Sequence, residues 1–218
     1  MNFIDAYIQK TQQALSKIPS KQLCETILLL FKAWKSGSQV FIFGNGGSAS
    51  TASHMANDLS KATIVPGKPR MRVIALTDNI SMITAWANDA AYEDIFKEQL
   101  ENLLQPGDVI VAISAGGNSP NVLRAIEFAR QQGAVTIGWT GLSGGRLKDA
   151  VDHCVQAPTD DVGMVESIHL VLDHLITVEL RMCIQTGREP SVNGRSQREK
   201  GKNARRPRVV SLAAGRGA

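Results

Sequence analysis

The chain of 218 residues is long enough for one α/β domain with a full core, and it holds no run of about 20 apolar residues that would span a membrane. Its net charge of +4 belongs to the end of the chain. Nine of the 24 basic residues but only two of the 20 acidic ones lie from Arg188 onwards, so the body carries −3 and nucleic acid is not its expected partner. Three scattered cysteines (Cys24, Cys154 and Cys183) read as reduced thiols of a cytoplasmic protein, and residues 1–21 lack the pattern of a secretory signal.

Residues 2–17 and 20–36 carry helical stripes, the second with Leu23, Ile27, Leu30, Phe31 and Trp34, an N-cap expected at Ser20 and a stop at Ser36-Gly37. An apolar strand over 40–43 runs into Gly44-Asn45-Gly46-Gly47-Ser48 and a helix over 48–59. A strand over 71–76 follows, then helices over 81–87 and 92–104 separated by Asn88-Asp89. After the turn Pro106-Gly107-Asp108 comes a strand over 109–113, which runs into Ser114-Ala115-Gly116-Gly117-Asn118-Ser119 and a helix over 120–132. A strand over 134–139, a short helix opened by Gly144-Gly145, a strand over 153–156 and a long helix over 165–185 complete the pattern. The last helix has Ile168, Val171, Leu172, Leu175 and Ile176 as its apolar stripe. Continuous apolar strands alternating with helices predict an open, parallel, five-stranded sheet covered on both faces. The helices at the two ends of the chain are expected to pack together or against another subunit. Residues 1–187 read as one domain and 188–218 as a basic, disordered tail, interrupted by Pro190 and Pro207 and without an aromatic residue.

Two glycine turns at strand ends, each opening a helix, suit an anion. Glycine lets the backbone approach closely, and the free N–H groups with the helix dipole favour negative charge. A phosphorylated small molecule, or two anionic groups of one ligand, is the expected occupant. His54 and Asp58 stand at i, i+4 on the helix after the first turn, and Glu166 and His174 on the last helix. Two imidazoles and two carboxylates suit a divalent metal such as zinc, and equally a general acid and base. Glu166 and His174 lie roughly 12 Å apart along a straight helix. Either the helix starts after Glu166, or the site is shared between subunits, and the second is the expectation. Trp34, Trp86 and Trp139 read as core or interface, and His153-Cys154 as structural. His169 and Asp173 read as part of a polar face with no assigned role, and Lys61 as either a phosphate contact or a solvated side chain. Asp89 taken alone is a capping residue.

These motifs together, Gly44–Ser48, His54, Asp58, Ala87-Asn88-Asp89, Ser114–Ser119 and the helix with Glu166, His169 and His174, resemble the sugar isomerase (SIS) domain family, in particular its phosphoheptose isomerases, over about residues 2–185. The resemblance implies a flavodoxin-like α/β fold, a cytoplasmic homotetramer with active sites between subunits, and conversion of sedoheptulose 7-phosphate into D-glycero-D-manno-heptose 7-phosphate for surface-glycan synthesis. It implies that Ser114, Ala115, Gly116 and Ser119 bind the phosphate. Asn45, Gly46, Gly47, Ser48, Asn88, Asp89 and Glu166 would meet the rest of the substrate. One zinc per subunit would be held by His54, Asp58, Glu166 and His174, with Asp58 and His174 doing the base and acid work. The chain departs from the usual pattern at Asp58 (glutamate), Glu166 (glutamine), Ala115 (threonine) and Gly163 (aspartate). A non-catalytic relative of the type that associates with the bacterial replication initiator, a sugar-phosphate sensor and an isomerase of another sugar phosphate are the rival readings.

Overall fold

The computed structural model describes residues 2–190; the basic segment 191–218 lies outside the described residues. The helices are α1 (Phe3–Leu15), α2 (Ser20–Ser36), α3 (Gly47–Lys61), α4 (Ile80–Asp89), α5 (Lys97–Leu103), α6 (Pro120–Gln131), α7 (Leu147–Ala150) and α8 (Val162–Thr186). The strands are β1 (Gln39–Gly44), β2 (Arg72–Ala75), β3 (Val109–Ile113), β4 (Val135–Thr140) and β5 (His153–Gln156). They form one parallel sheet in the order β2-β1-β3-β4-β5. The chain leaves β1 toward β2 on one side and returns to β3 on the other. The winding therefore reverses between β1 and β3, where a doubly wound sheet opens a crevice at the carboxyl ends of its strands.

Alternation along the strands divides the core. Val40, Ile42, Val109, Val111, Ile113, Ile137 and Trp139 face α2, α3 and α8, where Ile27, Leu30, Met55, Leu59, Ile168 and Leu172 meet them. Phe41, Phe43, Ile110 and Ala112 face the other way, onto Phe96, Leu100, Val122, Ile126 and Leu147. The terminal helices α2 and α8 thus have a place on the sheet. Outward-facing apolar residues remain on α1 (Phe3, Ile4, Ile8) and on α8 (Val171, Leu175, Val178, Met182).

Local chemistry sets most boundaries. Asn2, Asn79 and Asp161 each accept a backbone N–H through their side chains at the starts of α1, α4 and α8, and Gly37 and Gly187 end α2 and α8 in the left-handed region. Four expectations change. Ser20 is the first residue of α2 and not its cap, and Pro19 before it makes no side-chain capping bond. Asn88-Asp89 do not break a helix, because α4 runs through them and the chain turns at Ala90. The helix expected over 92–104 is a 3₁₀ turn, Tyr92–Asp94, followed by α5. Gly144 and Gly145, at φ 77° and 53°, form a loop before α7.

Candidate active site

Both glycine turns stand at the carboxyl ends of adjacent strands, with Gly44 of β1 paired to Ile113 of β3. Gly44 has no room for a side chain: a Cβ there would lie 2.6 Å from the Ile113 carbonyl and 2.7 Å from Ser48 Cβ. That close approach explains why Ser48 is buried beneath the first turn. Gly46, at φ 55°, and Gly116 instead face open space, so the backbone of each turn is accessible. Ser114 and Ser119 bring their Oγ atoms to 3.3 Å of each other across the second turn. Ser119 precedes Pro120 at the start of α6 and spends no side-chain bond on capping it, leaving its hydroxyl for a ligand. Ala115 uses its carbonyl to accept from Gly141 N at 2.8 Å.

The turns are tied together by a reciprocal amide pair. Asn45 Nδ2 donates to Asn121 Oδ1, and Asn121 Nδ2 donates to Asn45 Oδ1, both at 2.9 Å. Tyr92 Oη adds a third bond, to Asn45 Oδ1 at 3.1 Å. Asn88 and Asp89 are exposed on the last turn of α4, bonded to each other at 2.7 Å. Asn121 and Tyr92 were not singled out from sequence. Their signal is through space, since Asn121 reads locally as an ordinary first-turn residue.

α3 carries His54 and Asp58 from the first turn to the flank of α8. His54 Nε2 lies 3.0 Å from His174 Nε2 and 3.5 Å from Asp58 Oδ2, and His174 Nε2 lies 3.8 Å from Asp58 Oδ2. The fourth group beside them is Asp173. One ligand-type atom from each of His54, Asp58, Asp173 and His174 lies within 4.8 Å of all the others. Asp173 is wholly buried, and its Oδ2 has no hydrogen-bond partner. Burial, reinforced by the Asp58 carboxylate, pushes its carboxyl up to about 7. Two imidazole nitrogens and two carboxylate oxygens converging around an unsatisfied buried oxygen fit a divalent cation.

Glu166 is not in this group. α8 begins at Val162, so Glu166 and His174 do share one continuous helix and the first alternative from sequence falls. The Glu166 carboxylate lies against Gly47 at the start of α3, where an added Cβ would collide with it. Lys61 ends α3, roughly 20 Å from the glycine turn that begins the helix, and its side chain is exposed. His153 is structural, its Nε2 2.8 Å from the Gln22 carbonyl. His169 is fully buried against Trp139, and burial lowers its pKa to about 4.

A family model described as the SIS domain matches residues 5–141, and the chain belongs to that family. Over 171 residues it is 39% identical to the phosphoheptose isomerase of Trichlorobacter lovleyi, covering 78% of this chain and 85% of the relative. It is 41% identical over 139 residues to that of Maridesulfovibrio salexigens, covering 64% and 67%. The solved structure of a phosphoheptose isomerase from Francisella tularensis matches with a TM-score of 0.77 at 26% identity, covering 82% of this chain and 96% of that one. No helix among the described residues is long and apolar enough to cross a membrane.

Proposed function

We propose that the protein is an aldose–ketose isomerase of the phosphoheptose isomerase type, converting sedoheptulose 7-phosphate into D-glycero-D-manno-heptose 7-phosphate. The observation that carries this reading is the joining of an open, hydroxyl-lined turn at the end of β3 to a His–Asp cluster on α3 and α8 through the Asn45–Asn121 pair. Ser114, Ala115, Gly116 and Ser119 take the phosphate through hydroxyl and backbone N–H groups. Asn45, Gly46, Gly47, Ser48, Asn88, Asp89 and Glu166 serve the remainder of the substrate, Ser48 by supporting the turn from beneath.

Moving the carbonyl from C2 to C1 requires that a proton leave C1 and one arrive at C2. The Asp58 carboxylate takes the C1 proton while the C2 oxygen is protonated, giving the enediol. His174 gives a proton to O2 and takes one from O1, and the proton held by Asp58 passes to C2, so that the aldose is complete and both groups are restored. His54, Asp58 and His174, together with a further carboxylate, would hold a divalent metal such as zinc, one per subunit, which would supply polarisation of the carbonyl. The exposed apolar residues of α1 and α8 support the homotetramer expected from the resemblance, and sedimentation would measure it. The scattered cysteines Cys24, Cys154 and Cys183 accord with a cytoplasmic setting.

The test is incubation of the full chain with a panel of ketose phosphates, with and without a chelator. Turnover of sedoheptulose 7-phosphate that the chelator removes is the expected result. Turnover of a different ketose phosphate alone would move the reading to that sugar, and an inert protein would leave a binding module.

A further inference from the structure

The notable feature of α8 is where its two carboxylates fall against α3. Glu166 meets Gly47, and seven residues further along both helices Asp173 meets His54, with Asp173 Oδ2 3.9 Å from His54 Nε2. The two helices therefore run side by side in the same direction with a constant offset. Seven residues separate the two levels by roughly 10 Å. Glu166 is level with the end of the first glycine turn, where α3 begins, while Asp173 is level with the His–Asp cluster. Glu166 is not among the donors that converge there, whereas Asp173 completes a set of four within one chain.

We infer that Asp173 is the fourth protein ligand of the metal site, so that His54, Asp58, Asp173 and His174 of a single protomer hold the ion, and Glu166 is left to the substrate side. Two independent observations meet here. The donor atoms of the four residues converge within 4.8 Å. Asp173 is a wholly buried carboxylate whose Oδ2 points into the cluster with no hydrogen bond to satisfy it. Leaving such an oxygen unpaired in an apolar setting is costly, and a cation is the partner that removes the cost. The other oxygen has Thr177 Oγ1 at 3.4 Å, on the next turn of α8, which orients the carboxyl.

This inference rests on the metal reading and not on the choice of sugar, so it is tested without substrate. Zinc affinity of the metal-stripped full chain is measured by competition with a chromophoric chelator for wild type, Asp173→Asn and Glu166→Gln, each checked for a cooperative melt. Outer-shell changes around metals cost about 10–100-fold in affinity, and loss of a direct ligand costs at least the upper part of that range. The expected result is a fall of about 100-fold in Asp173→Asn with Glu166→Gln within about threefold of wild type. Wild-type affinity in Asp173→Asn would overturn the assignment. Should that variant fail to fold, the cobalt(II) spectrum of Asp173→Cys decides. A thiolate-to-cobalt charge-transfer band absent from the wild-type protein supports ligation from position 173, and its absence overturns it. A normal metal result with an inactive enzyme would count against the isomerase reading alone.

Discussion

His169 makes the stability of this protein depend on pH in a way that its sequence position does not announce. The imidazole is fully buried, Nε2 lies 3.2 Å from the Thr140 carbonyl, and Nδ1 has no partner. With the proton on Nε2 the ring donates one bond and leaves a bare nitrogen in an apolar setting. A second proton would place an N–H and a charge where nothing accepts them, and burial accordingly lowers the pKa from 6.5 to about 4. Because the folded value lies below the unfolded one, the unfolded chain binds the extra proton first as pH falls. The contribution is fully present above about 6.5 and is lost as pH drops toward 4. A depression from 6.5 to about 4 corresponds to about 3 kcal/mol. Asp173 acts in the opposite sense, since its raised value favours the folded state as pH falls below about 7. The wild-type profile in chelator would therefore be flatter than either group alone dictates. The assay is the urea midpoint of wild type and of His169→Gln between about pH 7 and pH 4, because the difference between the two profiles removes groups common to both. We expect wild type to lose about 3 kcal/mol relative to the variant across that window. Parallel profiles would refute the argument that this imidazole is held neutral by burial.

Other outcomes follow from the site. Asp58→Asn and His174→Ala should each abolish measurable isomerisation while the melt stays cooperative; near-wild-type turnover in either would remove that residue from the mechanism. Gly117 has φ 65° and packs on the Gly144 carbonyl, so Gly117→Ala combines left-handed strain with a backbone collision. It should cost about 2–5 kcal/mol in denaturant unfolding and raise KM for the phosphorylated substrate, and an unchanged midpoint would show that the turn can relax. Asn121→Ala removes both amide bonds to Asn45, leaving only the Tyr92 hydroxyl. A fall of about 10–100-fold in kcat/KM is expected, with Asn121→Asp intermediate, and unchanged kinetics would mean that Asn45 needs no holding.

The alternation of strands and helices, the two glycine turns and the i, i+4 pair His54–Asp58 were legible residue by residue. Each is a local matter: apolar runs make buried strands, positive φ selects glycine, and helical period brings residues four apart onto one face. The joining of the turns by Asn45 and Asn121, and the place of Asp173 beside the cluster, were not legible. Spacing along α8 shows that Glu166 and Asp173 lie at different levels, but only the packing of α8 beside α3 says which level meets His54. Asp173 looks in sequence like a polar residue next to a histidine; buried with one oxygen unsatisfied, it becomes the most demanding group in the site. Desolvation and the convergence of side chains from distant segments arise only when the helices dock, which is why they decide what periodicity and turn chemistry leave open.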